Sequence, residues 1–139
     1  MRDTLGVKVV APPSDNVFVS VSLDRARRVV RVTRSAERPR SIEQITQAFD
    51  EAARAFDGFD RAKLRLLIDL RAAPGRNDPE FEQAMATRRH ELMRGFPAVA
   101  ILVQTPVGEL QIARISREDG SSAKAFSDEA KALAWLAAT

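Results

Sequence analysis

Apolar and polar residues first alternate from Val17 to Leu23, with Val17, Val19, Val21 and Leu23 on one side of an extended chain. Asp24 to Arg28 is a polar turn, and Val29-Val30-Arg31-Val32-Thr33-Arg34 returns the chain. The two runs predict an antiparallel hairpin with one polar side. The period then lengthens. Ser41-Ile42-Glu43-Gln44 reads as a capping box, and Ile45, Phe49, Ala52 and Phe56 follow at helical spacing, with Gly58 placed to end the helix. Leu64-Arg65-Leu66-Leu67-Ile68-Asp69-Leu70 is apolar on both faces, the pattern of a buried strand. It breaks at Ala73-Pro74-Gly75-Arg76, where Pro presets one turn angle and Gly accepts a positive φ. Asp78-Pro79 supplies the N-cap and first residue of a helix to about Arg94, with Phe81, Met85 and Leu92 inward and Gly95 as its stop.

Ala98-Val99-Ala100-Ile101-Leu102-Val103 is a second continuous apolar strand, expected parallel to the first. Thr105-Pro106 repeats the cap-plus-proline device, and a helix from Val107 to Glu118 is expected to bury Leu110, Ile112, Ala113 and Ile115. Ala123 to Phe126 fits a short last strand. Ser127-Asp128-Glu129 caps a final helix anchored by Leu133, Trp135 and Leu136. The order is ββαβαβαβα, an α/β chain whose mixed sheet joins an N-terminal antiparallel hairpin to right-handed βαβ crossovers. Residues 1–16, broken by Pro12-Pro13, read as a leader, and residues 17–139 as a single domain.

Composition removes several function classes. The chain has no cysteine, which excludes disulfides, thiolate catalysis and cysteine-held metals. No apolar run reaches the length of a membrane span and no signal-peptide core follows Met1, so a cytoplasmic protein without membrane insertion is expected. The net charge is +3, but seven arginines between Arg25 and Arg40 face only Asp24 and Glu37. No aromatic residues interleave those arginines to stack bases, so no nucleic-acid partner is expected. They read as a solvated hairpin edge whose charge discourages edge-to-edge pairing.

Candidate chemistry gathers at the carboxyl end of the Leu64–Leu70 strand, where open α/β sheets place their sites. Asp69, Arg71, Arg76, Asn77 and Asp78 lie in or beside that loop, and Thr105 and Ser121 should approach the same rim from neighbouring connections. This rim is the expected surface for a protein partner, with Arg71 and Arg76 suited to an acidic one. A carboxylate at Asp69 suits ligand contact or base catalysis, but it suits equally the amides of its own loop or an ion pair with Arg71 or Arg76. The structural role is the favoured one. Asp78 is read as a cap. The lone histidine, His90, falls among charged neighbours on the outer side of its helix, with no second histidine to complete a metal site. No nucleophile–base pair is legible, so the chain is expected to be neither an enzyme nor a binder of cofactor or metal.

The element order resembles the STAS fold, and within it the SpoIIAA-like group, related to anti-sigma-factor antagonists and to CRAL-TRIO lipid-binding domains. The likeness rests on Leu67-Ile68-Asp69-Leu70-Arg71, Asn77-Asp78-Pro79, Val99 to Val103 and Phe126 to Leu136, and spans Val17 to the end. It implies a regulatory module of bacterial type that works by protein–protein contact, and it leaves room for a homodimer. A small-ligand or lipid carrier is the alternative it implies. In the antagonists, a serine or threonine at the start of the helix after the central strand is phosphorylated. Here that place is Asn77-Asp78-Pro79, which offers no hydroxyl, so the switch is expected to be absent.

Overall fold

The computed structural model of the chain describes residues 7–9, 16–74, 79–119 and 123–139. Its strands are β1 (Val7–Val9), β2 (Val19–Asp24), β3 (Val29–Arg34), β4 (Arg65–Asp69), β5 (Val99–Leu102) and β6 (Lys124–Phe126). They form one six-stranded sheet in the spatial order of the sequence. The pairs β1–β2 and β2–β3 are antiparallel. The pairs β3–β4, β4–β5 and β5–β6 are parallel. The helices are α1 (Ile42–Arg54), α2 (Pro79–Met93), α3 (Pro106–Asp119) and α4 (Glu129–Ala137), with 3₁₀ turns at Ala55–Gly58 and Arg61–Lys63.

Every crossover after β3 steps the same way along the sheet, so a constant hand puts α1, α2 and α3 on one face. That face holds the main core. Val19, Val21, Val30, Val32, Leu66, Ile68, Val99 and Ile101 meet Ile45, Phe49, Ala52, Phe56, Met85 and Leu92, with Ile112 packed against them. The other face is divided. Over the hairpin it carries Ser20, Ser22, Arg31 and Thr33; over β4 and β5 it carries Leu67, Ala100 and Leu102, and α4 covers this apolar part with Ala132 and Leu136. Alternation in the hairpin and continuous apolar runs in β4 and β5 are the sequence form of that division.

The caps act locally as their residues dictate. Ser41 Oγ accepts the Gln44 N–H at 3.1 Å, while the Gln44 side chain accepts from the Arg40 N–H at 2.7 Å. Asp128 caps α4 by accepting the Lys131 N–H. Gly95 ends α2 at φ +88°, a conformation that favours glycine.

Four expectations need correction. Residues read as leader contribute β1, which pairs Val7 to Asp24 and Val9 to Ser22 and so covers the outer edge of β2. The β2 strand begins at Val19, and Val17 is 66% exposed. Asn16 causes this: its Oδ1 accepts the N–H groups of Phe18 and Val19 at 2.9 and 2.8 Å, a turn that rotates Val17 outward. The hairpin is not a bare charged edge, since β3 is paired on both sides. Arg34 is buried and donates to the carbonyls of Ser35 and Glu37 at 2.6 and 2.8 Å. Last, Leu110 is not in the core but 72% exposed, Ala113 is only half-buried, and the side chain of Ile115 lies outside those described. Residues 110 and 112 lie about 200° apart on a helix, so both cannot face the sheet. The sheet takes Ile112 and the buried Ser116, and Gly108 continues that i, i+4 line. A Cβ at Gly108 would lie 3.2 Å from the Val103 side chain, so glycine sets how near α3 comes to β5.

Candidate functional site

Along β4, Arg65, Leu67 and Asp69 point to the face that α4 covers, and the last of them ends the strand. Asp69 is only 6% exposed. Its carboxylate accepts from Arg71 Nε at 3.0 Å, from the Arg71 N–H at 3.1 Å, and from Arg31 of β3 at 2.9 Å. Glu129, the first residue of α4, completes the group. It accepts from Arg31 at 2.9 Å and from Arg71 at 2.7 Å. Two guanidiniums and two carboxylates therefore close a neutral ring between the sheet and the start of α4, where the helix dipole also favours a carboxylate. At the opposite end of that helix, Arg65 donates to the Thr139 hydroxyl at 2.6 Å and to its carbonyl at 2.7 Å. Arginines thus fasten α4 at both ends.

The electrostatics decide what this ring can do. Burial by itself pushes the Asp69 carboxyl up. The hydrogen bonds from the Arg71 side chain and backbone and from Arg31 outweigh it and hold the group at about 2. Hydrogen bonding from Arg31 likewise lowers Glu129. The same contacts raise both arginines, Arg31 chiefly through Glu129 and Arg71 chiefly through Asp69. A general base works best with a pKa near the operating pH, and a carboxylate held this low is poorly matched to that task. Asp69 and Arg71 thus meet each other, together with Arg31 and Glu129, whose part nothing local in the sequence signals.

The rest of the rim divides plainly. Thr105 is exposed, and its hydroxyl accepts the Gly108 N–H at 3.1 Å, capping α3. Beside it the Ser127 hydroxyl donates to Glu109. His90 is exposed on α2. Arg76, Asn77, Asp78 and Ser121 lie outside the described residues. Among the described residues no group of three or more His, Cys, Asp or Glu is placed to hold a metal ion.

The outer face of α3 begins at that rim and lies outside the expected site residues. Val107 is 70% and Leu110 72% exposed. With Gln111, Ala113, Arg114 and Arg117 they line a shallow groove of about 320 Å³. Among the described residues neither Arg114 nor Arg117 has an ion-pair partner. The spacing 107, 110, 114, 117 is itself a helical stripe and was legible. An expectation that places Leu110 in the core hides that stripe.

No family model matches the chain, and no curated protein matches it. Among solved structures it is similar to an uncharacterized protein of the DUF3478 family with a SpoIIAA-like fold from Shewanella loihica PV-4. The two share 18% identity at a TM-score of 0.58, over 98% of each chain. A likeness of that kind is one of fold, and the fold of this chain is SpoIIAA-like.

Proposed function

We propose that this chain, with its SpoIIAA-like fold, is a non-catalytic regulatory module that works by docking a protein partner on the outer face of α3. The observation that carries the reading is the pair of exposed apolar side chains, Val107 and Leu110, beside two arginines that have no ion-pair partner among the described residues. Most large apolar side chains of the described chain are buried or half-buried, so two adjacent exceptions on one stripe need a reason. The reading also agrees with the resemblance to anti-sigma-factor antagonists, which act through partner contact. Catalysis is disfavoured because Asp69, the acid best placed for it, is committed to two arginines. No helix among the described residues is long and apolar enough to cross a membrane.

The test is a photo-crosslinking amino acid placed at Leu110 in the expressed protein, with the same group at Gln47, an exposed position on α1, as control. A discrete covalent adduct with another protein should form from position 110 and not from position 47. Equal adducts at both positions, or none at 110, would count against α3 as the docking face. Native mass spectrometry that found a retained lipid would turn the reading toward the carrier.

A further inference from the structure

We infer that the segment docking on α3 is an acidic amphipathic helix of another protein, a step that rests on the docking reading above. Along the exposed stripe, Val107 and Leu110 come first, and Arg114 and Arg117 follow. At a rise of about 1.5 Å per residue, the arginines lie roughly 6 and 10 Å beyond Leu110. A partner helix laid along this groove meets two apolar side chains and then two cations one to two turns further on. Its complement is apolar residues at i and i+3 or i+4, followed by carboxylates near i+7 and i+10. Arginine suits that contact, since its planar fork takes a carboxylate with two bonds and is weakly hydrated.

Other occupants fit less well. A second copy laid parallel would set arginine against arginine, and laid antiparallel would set arginine against leucine. The acid of the first turn, Glu109, is already held by Ser127. A membrane surface would need a broader apolar face than these two side chains provide. The groove between α1 and α2, about 210 Å³ and lined by Phe49, Asp50 and Arg88 among others, gives a useful contrast. There Arg88 meets Asp50 at 3.5 Å and Glu91 meets Arg94 at 3.4 Å, so each charge already has its partner. Among the described residues, the α3 groove is where exposed cations and apolar side chains lie together without such partners.

Fluorescence anisotropy with two labelled helical peptides tests this. Both carry the same leucine face; one places glutamates at the complementary positions and the other lysines. The full chain should bind the acidic peptide at least tenfold more tightly, a gap of about 1.4 kcal/mol, and the gap should narrow as salt rises. The double change Arg114→Glu and Arg117→Glu should reverse the preference, and Leu110→Asp should abolish both complexes, with circular dichroism confirming that each variant is folded. Equal affinity for the two peptides, still lost with Leu110→Asp, would overturn the acidic partner and leave the docking reading standing. Failure of the acidic peptide to bind would overturn the inference, and the crosslinking above would then judge the docking reading alone. Binding indifferent to Leu110→Asp, a dimer in sedimentation that depends on Leu110, or tighter binding to vesicles of anionic phospholipid would overturn both.

Discussion

Replacing Asp69 with Ala should cost about 3 kcal/mol of stability and remove much of the protein's sensitivity to acid. The carboxylate is nearly buried and is shared by Arg31 and Arg71. Its loss leaves two guanidiniums with one acid, Glu129, and orphans the Arg71 N–H as well. Removing one member of a buried charge group costs more than the group contributes, because the remaining charges stay desolvated. The arginines keep some solvent, with 28% and 40% of their side chains exposed, which places the cost at the low end of the range for such groups. The pH dependence has a definite sign. The folded carboxyl sits at about 2 against 3.8 when unperturbed, so its contribution is complete above the higher value and is lost as pH falls through the lower one. The gap corresponds to roughly 2 kcal/mol. Urea unfolding between about pH 6 and pH 2 should therefore show a steep acid decline in the parent chain and a shallower one in Asp69→Asn. Parallel curves would mean that other acids govern the decline.

Phe56→Ala should cost about 4 kcal/mol, more than an average core truncation. Phe56 is 1% exposed in the 3₁₀ turn that follows α1, where its ring lies 5.9 Å from Phe59 and 5.8 Å from Phe96. Above it sits Arg61, 5.1 Å from the Phe56 centroid and 5.3 Å from that of Phe96. The guanidinium of Arg61 also donates to the carbonyls of Glu91 at 2.9 Å and Arg94 at 2.6 Å, closing the end of α2. Truncating the ring opens a cavity and removes the cation's aromatic support together. Denaturant midpoints should show the combined loss. A cost below about 2 kcal/mol would mean that the site collapses to fill the gap.

What the chain made legible is what its neighbours in sequence decide. Continuous apolar runs gave β4 and β5, alternation gave the hairpin, and Ser41, Thr105 and Asp128 gave helix starts that the hydrogen bonds confirm. The preference for a structural Asp69 also agrees with the geometry, through Arg71 two residues away. What escaped depends on pairing across long separations. Arg31 and Glu129 are 98 residues apart, and they meet only because β3 lies beside β4 and α4 returns over the sheet. The bonds of Arg61 to the end of α2 are of the same kind. Leu110 was misplaced for another reason: hydrophobicity alone put it in the core, although its angle to Ile112 on the helix allowed only one of them inside.

On the proposed function the α3 face binds and the charge ring holds the fold, and the partner recovered from the Leu110 crosslink tests that division directly. Its affinity should be measured for Leu110→Asp and Asp69→Asn beside their unfolding curves. Leu110→Asp should lose more than tenfold in affinity while staying within about 0.5 kcal/mol of the parent in stability. Asp69→Asn should be destabilised, yet its folded fraction should bind as the parent does. The reverse pattern, with binding lost at Asp69 and kept at Leu110, would place the working surface at the ring and contradict docking on α3.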